Sequence, residues 1–137
     1  MSVHTKPIGV AYEDQNIVGA DRILTDSELG YTAAAQGAVT QATDKSTAVT
    51  LNKSAGRITM NAASLAATTN VSFTLNNSFI SANDTLILTI SGGATVAAYN
   101  VWVNSLSAGS ASITLRNTTA GALAEAVVIN FALIHCI

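Results

Sequence analysis

Val71-Ser72-Phe73-Thr74-Leu75 alternates apolar and polar side chains without a break, and Ala111-Ser112-Ile113-Thr114-Leu115-Arg116 repeats the pattern further along. Period two marks a half-buried strand, because successive side chains leave a pleated backbone on opposite faces. Val71, Phe73 and Leu75 therefore share a face, as do Ile113 and Leu115. Tyr99-Asn100-Val101-Trp102-Val103-Asn104 alternates in the same way. The stretch from Asp84 to Ile90, with Leu86-Ile87-Leu88 inside it, reads as a strand buried on both faces. Val127 to Ile134 reads as a long buried strand that closes the domain. Ala48-Val49-Thr50-Leu51 and Arg57-Ile58-Thr59-Met60 flank the turn-rich Asn52-Lys53-Ser54-Ala55-Gly56, which is a hairpin signal. A weaker strand falls near Ala38 to Thr43. About eight strands separated by turn residues predict an all-β chain, an antiparallel β-sandwich of jelly-roll type over residues 37–137.

Residues 1–36 read as an extended N-terminal arm. They hold the chain's only proline, Pro7, and most of its acidic residues. Thr25-Asp26-Ser27-Glu28-Leu29-Gly30 fits one helical turn, capped by Thr25 or Asp26 and stopped by Gly30. Val3, Ile8, Val10, Tyr12, Ile17, Val18, Ile23 and Leu24 make the arm too apolar for a free tail. Two readings stand: a further strand of the domain's own sheet, or an arm whose apolar residues lie on another subunit or another protein.

The chain has 137 residues, 49% of them hydrophobic and only 10% charged, against roughly 25% charged in ordinary soluble domains. Its length fits one domain. A net charge of -2 excludes the basic footprint of a nucleic-acid binder and the polybasic patch of a lipid binder. Beyond Arg57 the only charged residues are Asp84, Arg116 and Glu125; Ser, Thr and Asn take the place of charges. Such side chains are easier to bury than Lys or Glu, and charge depletion is the compositional mark of an interface core. An oligomer is expected. No stretch reads as a transmembrane helix, and the start, Met-Ser-Val-His-Thr-Lys-Pro, lacks the apolar region of a secretory peptide, so a soluble protein is expected. The single cysteine, Cys136, allows no internal disulfide.

Chemistry-bearing constellations are weak. His135 and Cys136 are adjacent, and neighbours on a strand point to opposite faces. No orienting third group or oxyanion hole is evident beside them, as nucleophilic catalysis requires, and two ligands without partners make no zinc site. Asp84 and Glu125 read as isolated acids beside turns. Ser91-Gly92-Gly93-Ala94-Thr95 lacks the lysine and glycine spacing of a phosphate loop. No catalytic residue, metal or cofactor is expected. Trp102, Tyr99, Phe73, Phe79 and Phe131 invite comparison with a sugar-binding platform, but their places in alternating strands favour core packing. Asn52, Asn70, Asn76, Asn83 and Asn117 begin Asn-X-Ser/Thr triplets, which chance produces in so Asn-, Ser- and Thr-rich a chain.

Three further stretches complete a pattern. Gly37-Ala38-Val39-Thr40-Gln41-Ala42-Thr43-Asp44-Lys45-Ser46-Thr47-Ala48-Val49-Thr50-Leu51-Asn52-Lys53 is followed by Gly56-Arg57-Ile58-Thr59-Met60-Asn61 and, near the end, by Ala124-Glu125-Ala126-Val127-Val128-Ile129-Asn130-Phe131-Ala132. With Tyr99 to Val103 and Ile113 to Asn117, this order resembles a module of virion structural proteins in tailed bacteriophages and prophages, over residues 37–134. Such modules occur in capsid decoration (cement) proteins, head fibres and tail fibres. The resemblance implies a non-enzymatic virion protein. Length favours a cement protein on the outer surface of the capsid, a homotrimer bound to the major capsid protein, since the chain has no room for both shaft and attachment domain. A head- or tail-fibre tip binding a host-surface receptor is the alternative, and would need exposed aromatic side chains. Val3, Ile8, Tyr12, Ile17, Ile23, Leu24 and Tyr31 are the expected capsid-binding residues.

Overall fold

Alternating sequence becomes alternating burial in a computed structural model that describes residues 19–136. Eight strands follow a single 3-10 turn at Ala33–Ala35: β1 Gln36–Thr40, β2 Val49–Thr50, β3 Ala55–Thr59, β4 Asn70–Asn76, β5 Thr85–Gly92, β6 Tyr99–Ser107, β7 Ser110–Asn117 and β8 Val128–Ile134. They form two four-stranded sheets, ordered β1-β3-β8-β5 and β2-β4-β7-β6. The sheets face each other across one apolar core. Phe73, Leu75, Ile113 and Leu115 enter it from one side, and Ile58, Ile129, Phe131 and Leu133 from the other. Burying each of these side chains stabilises the fold by about 1.5–3 kcal/mol before entropy is counted.

The all-β sandwich is present, with connectivity of its own. From β1 to β6 each strand lies in the sheet opposite its predecessor, so β1 and β3 run parallel, as do β2 and β4. Both sheets are therefore mixed. The expected hairpin across residues 52–56 is not formed: β2 pairs with β4, whereas β3 pairs with β1 and β8. The loop instead arches from one layer to the other. Asn77 Nδ2 donates to the Lys53 carbonyl at 2.7 Å, and the Ser78 N–H donates to Asn52 Oδ1 at 2.8 Å. Leu51 then folds inward against Gly56, where a Cβ would stand 2.7 Å from its Cδ2 atom. The turn signal was correct, and the space beside Gly56 decided that the turn leads across the sandwich.

The strand read as buried on both faces and the one read as a long buried strand each bury one face. In β5, Leu86 is buried but Ile87 is 48% exposed, because β5 is an edge strand with an uncovered outer face. Central β8 buries Ile129, Phe131 and Leu133, yet leaves Asn130 exposed and Ile134 at 50% exposure.

The chain divides into two units, one ending at Gly30 and one starting at Tyr31. Residues 19–30 are exposed and irregular, and the helical turn expected over Thr25 to Gly30 is absent. One turn alone fixes several dihedral angles for a single hydrogen bond and does not hold without packing. Residues 31–36, read from sequence as the end of the arm, lie in the sandwich unit. The Tyr31 hydroxyl donates to the Leu133 carbonyl, and Lys53 Nζ donates to the Ala34 carbonyl at 2.8 Å.

Candidate functional site

The sandwich offers two outer faces of different chemistry. On the β1-β3-β8-β5 sheet, Ala55, Ala132 and Ile87 lie in register across three strands, with Ile134 and Ala38 nearby. Arg57 is the only charged residue in these strands, and its Nε donates to Asn130 Oδ1 at 3.4 Å. Ser91 Oγ donates to the same oxygen at 3.0 Å. This face is nearly neutral, with a shallow depression beside Ala38, Ala55, Arg57 and Asn130.

On the β2-β4-β7-β6 sheet the outer positions are hydroxyls and carboxamides, apart from Trp102 and Arg116, the latter in register with Asn70 and Asn100. Ser72 pairs with Thr114, Thr114 with Trp102, and Ser112 with both Thr74 and Ser105. The register slips between Val103 and Ser105. This bulge gives the outer face two consecutive residues, Asn104 and Ser105, and such an extra residue re-aims its side chain. Asn104 Nδ2 swings over β7 to donate to Thr114 Oγ1 at 2.5 Å, Ser112 Oγ at 3.3 Å and Ser72 Oγ at 3.4 Å. Its Oδ1 accepts the Trp102 indole N–H at 2.8 Å. Trp102 is thereby pinned while still 37% exposed.

The aromatic residues thus divide. Phe73, Tyr99 and Phe131 are core, as alternation indicated, but Trp102 and Phe79 are exposed, against that reading. Phe79 lies in the loop after β4, and Trp102 shares its face with Asn100 and Asn104. The parity was visible in the sequence: in Tyr99 to Asn104, tryptophan occupies the polar phase of the alternation.

Of the expected capsid-binding residues, Val3, Ile8, Tyr12 and Ile17 lie outside the described residues. Ile23 is 60% and Leu24 83% exposed. Tyr31 is tied to β8 through its hydroxyl.

Asp84 is not the isolated acid it resembled. Its Oδ2 accepts the Ser81 N–H at 2.7 Å and meets His135 Nδ1 at 3.0 Å, while Oδ1 accepts the Cys136 N–H at 3.1 Å. The Ser81 N–H above all, then the Cys136 N–H, the Ser81 hydroxyl and His135, holds this carboxyl well below the usual carboxylate range. His135 does have an orienting carboxylate, but it is the backbone of Cys136, not its thiol, that reaches Asp84. The arrangement fastens the end of β8 to the start of β5.

Glu125 serves a second fastening. It accepts the Thr95 hydroxyl at 2.7 Å and the Thr95 N–H at 3.1 Å. These bonds lower its pKa, helped by Tyr99 and Lys45. The buried Tyr99 hydroxyl has no partner in hydrogen-bonding geometry, and its burial beside Glu125 pushes its pKa up to about 12. Lys45 is buried too, with Nζ donating to the Asn61 and Glu125 carbonyls at 2.5 Å each. Burial lowers its pKa against the attraction of Glu125. These polar groups tie loops together, Lys45 from within and Glu125 at the surface. Among the described residues no three His, Cys, Asp or Glu side chains converge as metal ligands.

Comparison with family models, curated proteins and solved structures gave no match. The functional reading accordingly rests on the two faces and on the likeness noted over residues 37–134.

Proposed function

We propose that the chain is a non-enzymatic structural protein of a tailed-phage virion. In this reading it decorates the outer surface of the head as a homotrimer and strengthens the shell by binding the major capsid protein. The observation that carries the assembling role is the outer face of β1-β3-β8-β5. There Ala38, Ile87 and Ile134 are exposed and Ala55 and Ala132 half-buried, and among the described residues Arg57 is the only charge in these four strands. Small apolar side chains and few charges suit the core of a subunit interface. The exposed Ile23 and Leu24 supply a second apolar surface, suited to the shell. The phage-module likeness is what points to a tailed-phage virion, and copy number separates head from fibre. Decoration then stabilises by mass action, since binding energy is gained by the assembled shell and not by free capsid subunits.

Light scattering tests the oligomer: the full chain should have a trimer's mass, and Ala132→Lys should reduce it to a monomer's. Copy number tests the location. Hundreds of copies in a purified virion support decoration, and a few dozen support a fibre. A wild-type monomer that is also lacking from the head would overturn the proposal. One observation favours the fibre-tip alternative, namely the exposure of Trp102 and Phe79, which a receptor-binding tip requires.

A further inference from the structure

The outer face of β2-β4-β7-β6 holds an aromatic ring in a fixed orientation. The Trp102 indole N–H is bound to Asn104, and Asn104 is bound to hydroxyls on both β7 and β4. Thr114, directly across from Trp102, is only 2% exposed although it points away from the core. Its hydroxyl is hydrogen-bonded to Asn104 and to Ser72 Oγ, with Trp102 beside it on β6. A bulge in edge strand β6 brings Asn104 into this position; bulges occur at sheet edges and beside active sites, where they re-aim a side chain. Core packing accounts for none of this, since no core residue lies on the face.

We propose that this face binds a neutral saccharide, with a pyranose ring stacked on Trp102 and its hydroxyls hydrogen-bonded to Asn100 and Ser105. A pyranose presents weakly positive C–H groups to the electron-rich face of an indole and a rim of donors and acceptors to its surroundings. Asn100 and Ser105 flank Trp102 on the same strand and are exposed. Because Asn104 fixes the indole before any ligand arrives, little ordering of the ring opposes binding.

Charge selects the ligand class. Arg116, in register with Asn100 at one end of this face, is the only charged residue in β2, β4, β6 and β7, a single positive charge and not a groove of them. Single-stranded nucleic acid also stacks on aromatic rings, but it needs a positive groove along its backbone. A second copy of the chain is the weaker occupant, because interface cores are depleted in serine and the hydroxyls here are already bonded to Asn104. The inference is independent of the proposed assembly, which uses the opposite sheet.

Trp102 is the chain's single tryptophan, so its emission reports on this face alone. The full-length protein would be titrated with neutral oligosaccharides of glucose, mannose, galactose and N-acetylglucosamine, then run through gels containing the corresponding polysaccharides. At least one should change the emission saturably and retard migration. Trp102→Ala should weaken gel retardation about tenfold or more. Asn104→Leu, which frees the ring, should weaken both signals. Asn100→Ala, a solvent-exposed change that leaves the fold intact, should also weaken binding, whereas Thr89→Ala on the other sheet should not. The proposal is overturned if no neutral saccharide acts at millimolar concentration or if only oligonucleotides shift the emission. It is equally overturned if the emission follows protein concentration in step with particle mass, which would place a second copy on the face.

Discussion

Replacing Asn117 should cost the sandwich a large part of its stability. This side chain is fully buried at the end of β7. Its amide nitrogen donates to the carbonyls of Gly121 at 2.8 Å, Leu65 at 3.1 Å and Ala66 at 3.1 Å. Its oxygen accepts the Thr119 N–H at 2.9 Å and the Thr119 hydroxyl at 2.8 Å. One carboxamide thus ties two loops to the end of a central strand. Two N–H bonds shared among three carbonyls, and two accepted bonds, make about four hydrogen bonds at roughly 1 kcal/mol net each. Asn117→Ala should therefore destabilise by about 4 kcal/mol, against a total of about 5–15 kcal/mol for a typical domain. The melting temperature should fall by about 15 °C. Asn117→Asp is the sharper variant. It keeps the shape but turns an oxygen toward three carbonyl oxygens, so at neutral pH it should be at least as damaging as alanine. Urea unfolding followed by Trp102 emission and circular dichroism would measure both, with an unchanged slope showing that the comparison is sound. A loss below about 1 kcal/mol in either variant would refute the reasoning, since buried partners left unsatisfied cost at least that much.

Three other outcomes are expected. Gly93→Ala should destabilise by about 3 kcal/mol in the same assay, through a positive φ and a backbone clash; its φ is +65° and a Cβ there would lie 2.1 Å from the Ala126 carbonyl oxygen. Asp84 has a depressed folded-state pKa, so its contribution is present above the unfolded value near 4 and is lost as pH falls through the folded value. Wild-type urea midpoints should thus decline below about pH 4 more steeply than those of Asp84→Asn, and parallel declines would contradict the assignment. Deleting residues 1–30 should leave the strand signal and cooperative melting of the sandwich intact while removing most affinity for phage heads. Collapse of the fold, or undiminished decoration, would count against the arm as a docking element.

Strand content was legible because period-two alternation and turn residues are local signals. Which strands meet was not. Residues 48–60 illustrate the difference: the turn at 52–54 is written in Asn, Lys and Ser, but its direction depends on Gly37 and Gly56 leaving room for Leu51 between the sheets. Ile87 misled because an apolar run looks the same in a central strand and at an uncovered edge. For Trp102 the signal was present, since it falls in phase with Asn100 and Asn104. The Asn104 network and the partners of Asp84 were out of reach. One depends on a bulge that moves a side chain across a strand, and the other joins residues 51 positions apart.

The position of β8 has a consequence for biosynthesis. It follows every other strand in the chain, yet stands between β3 and β5 in the middle of its sheet. Until residues 128–134 have left the ribosome, β3 and β5 have no common partner, and the alanine-rich face lacks its central column. Such distant pairings make folding slow, and translation adds residues one at a time, so the nascent chain waits with its apolar strands unpaired. The same delay acts as a proofreading step. A chain terminated before β8 cannot complete the β1-β3-β8-β5 sheet, so under the proposed assembly only copies translated through β8 would be competent to join it.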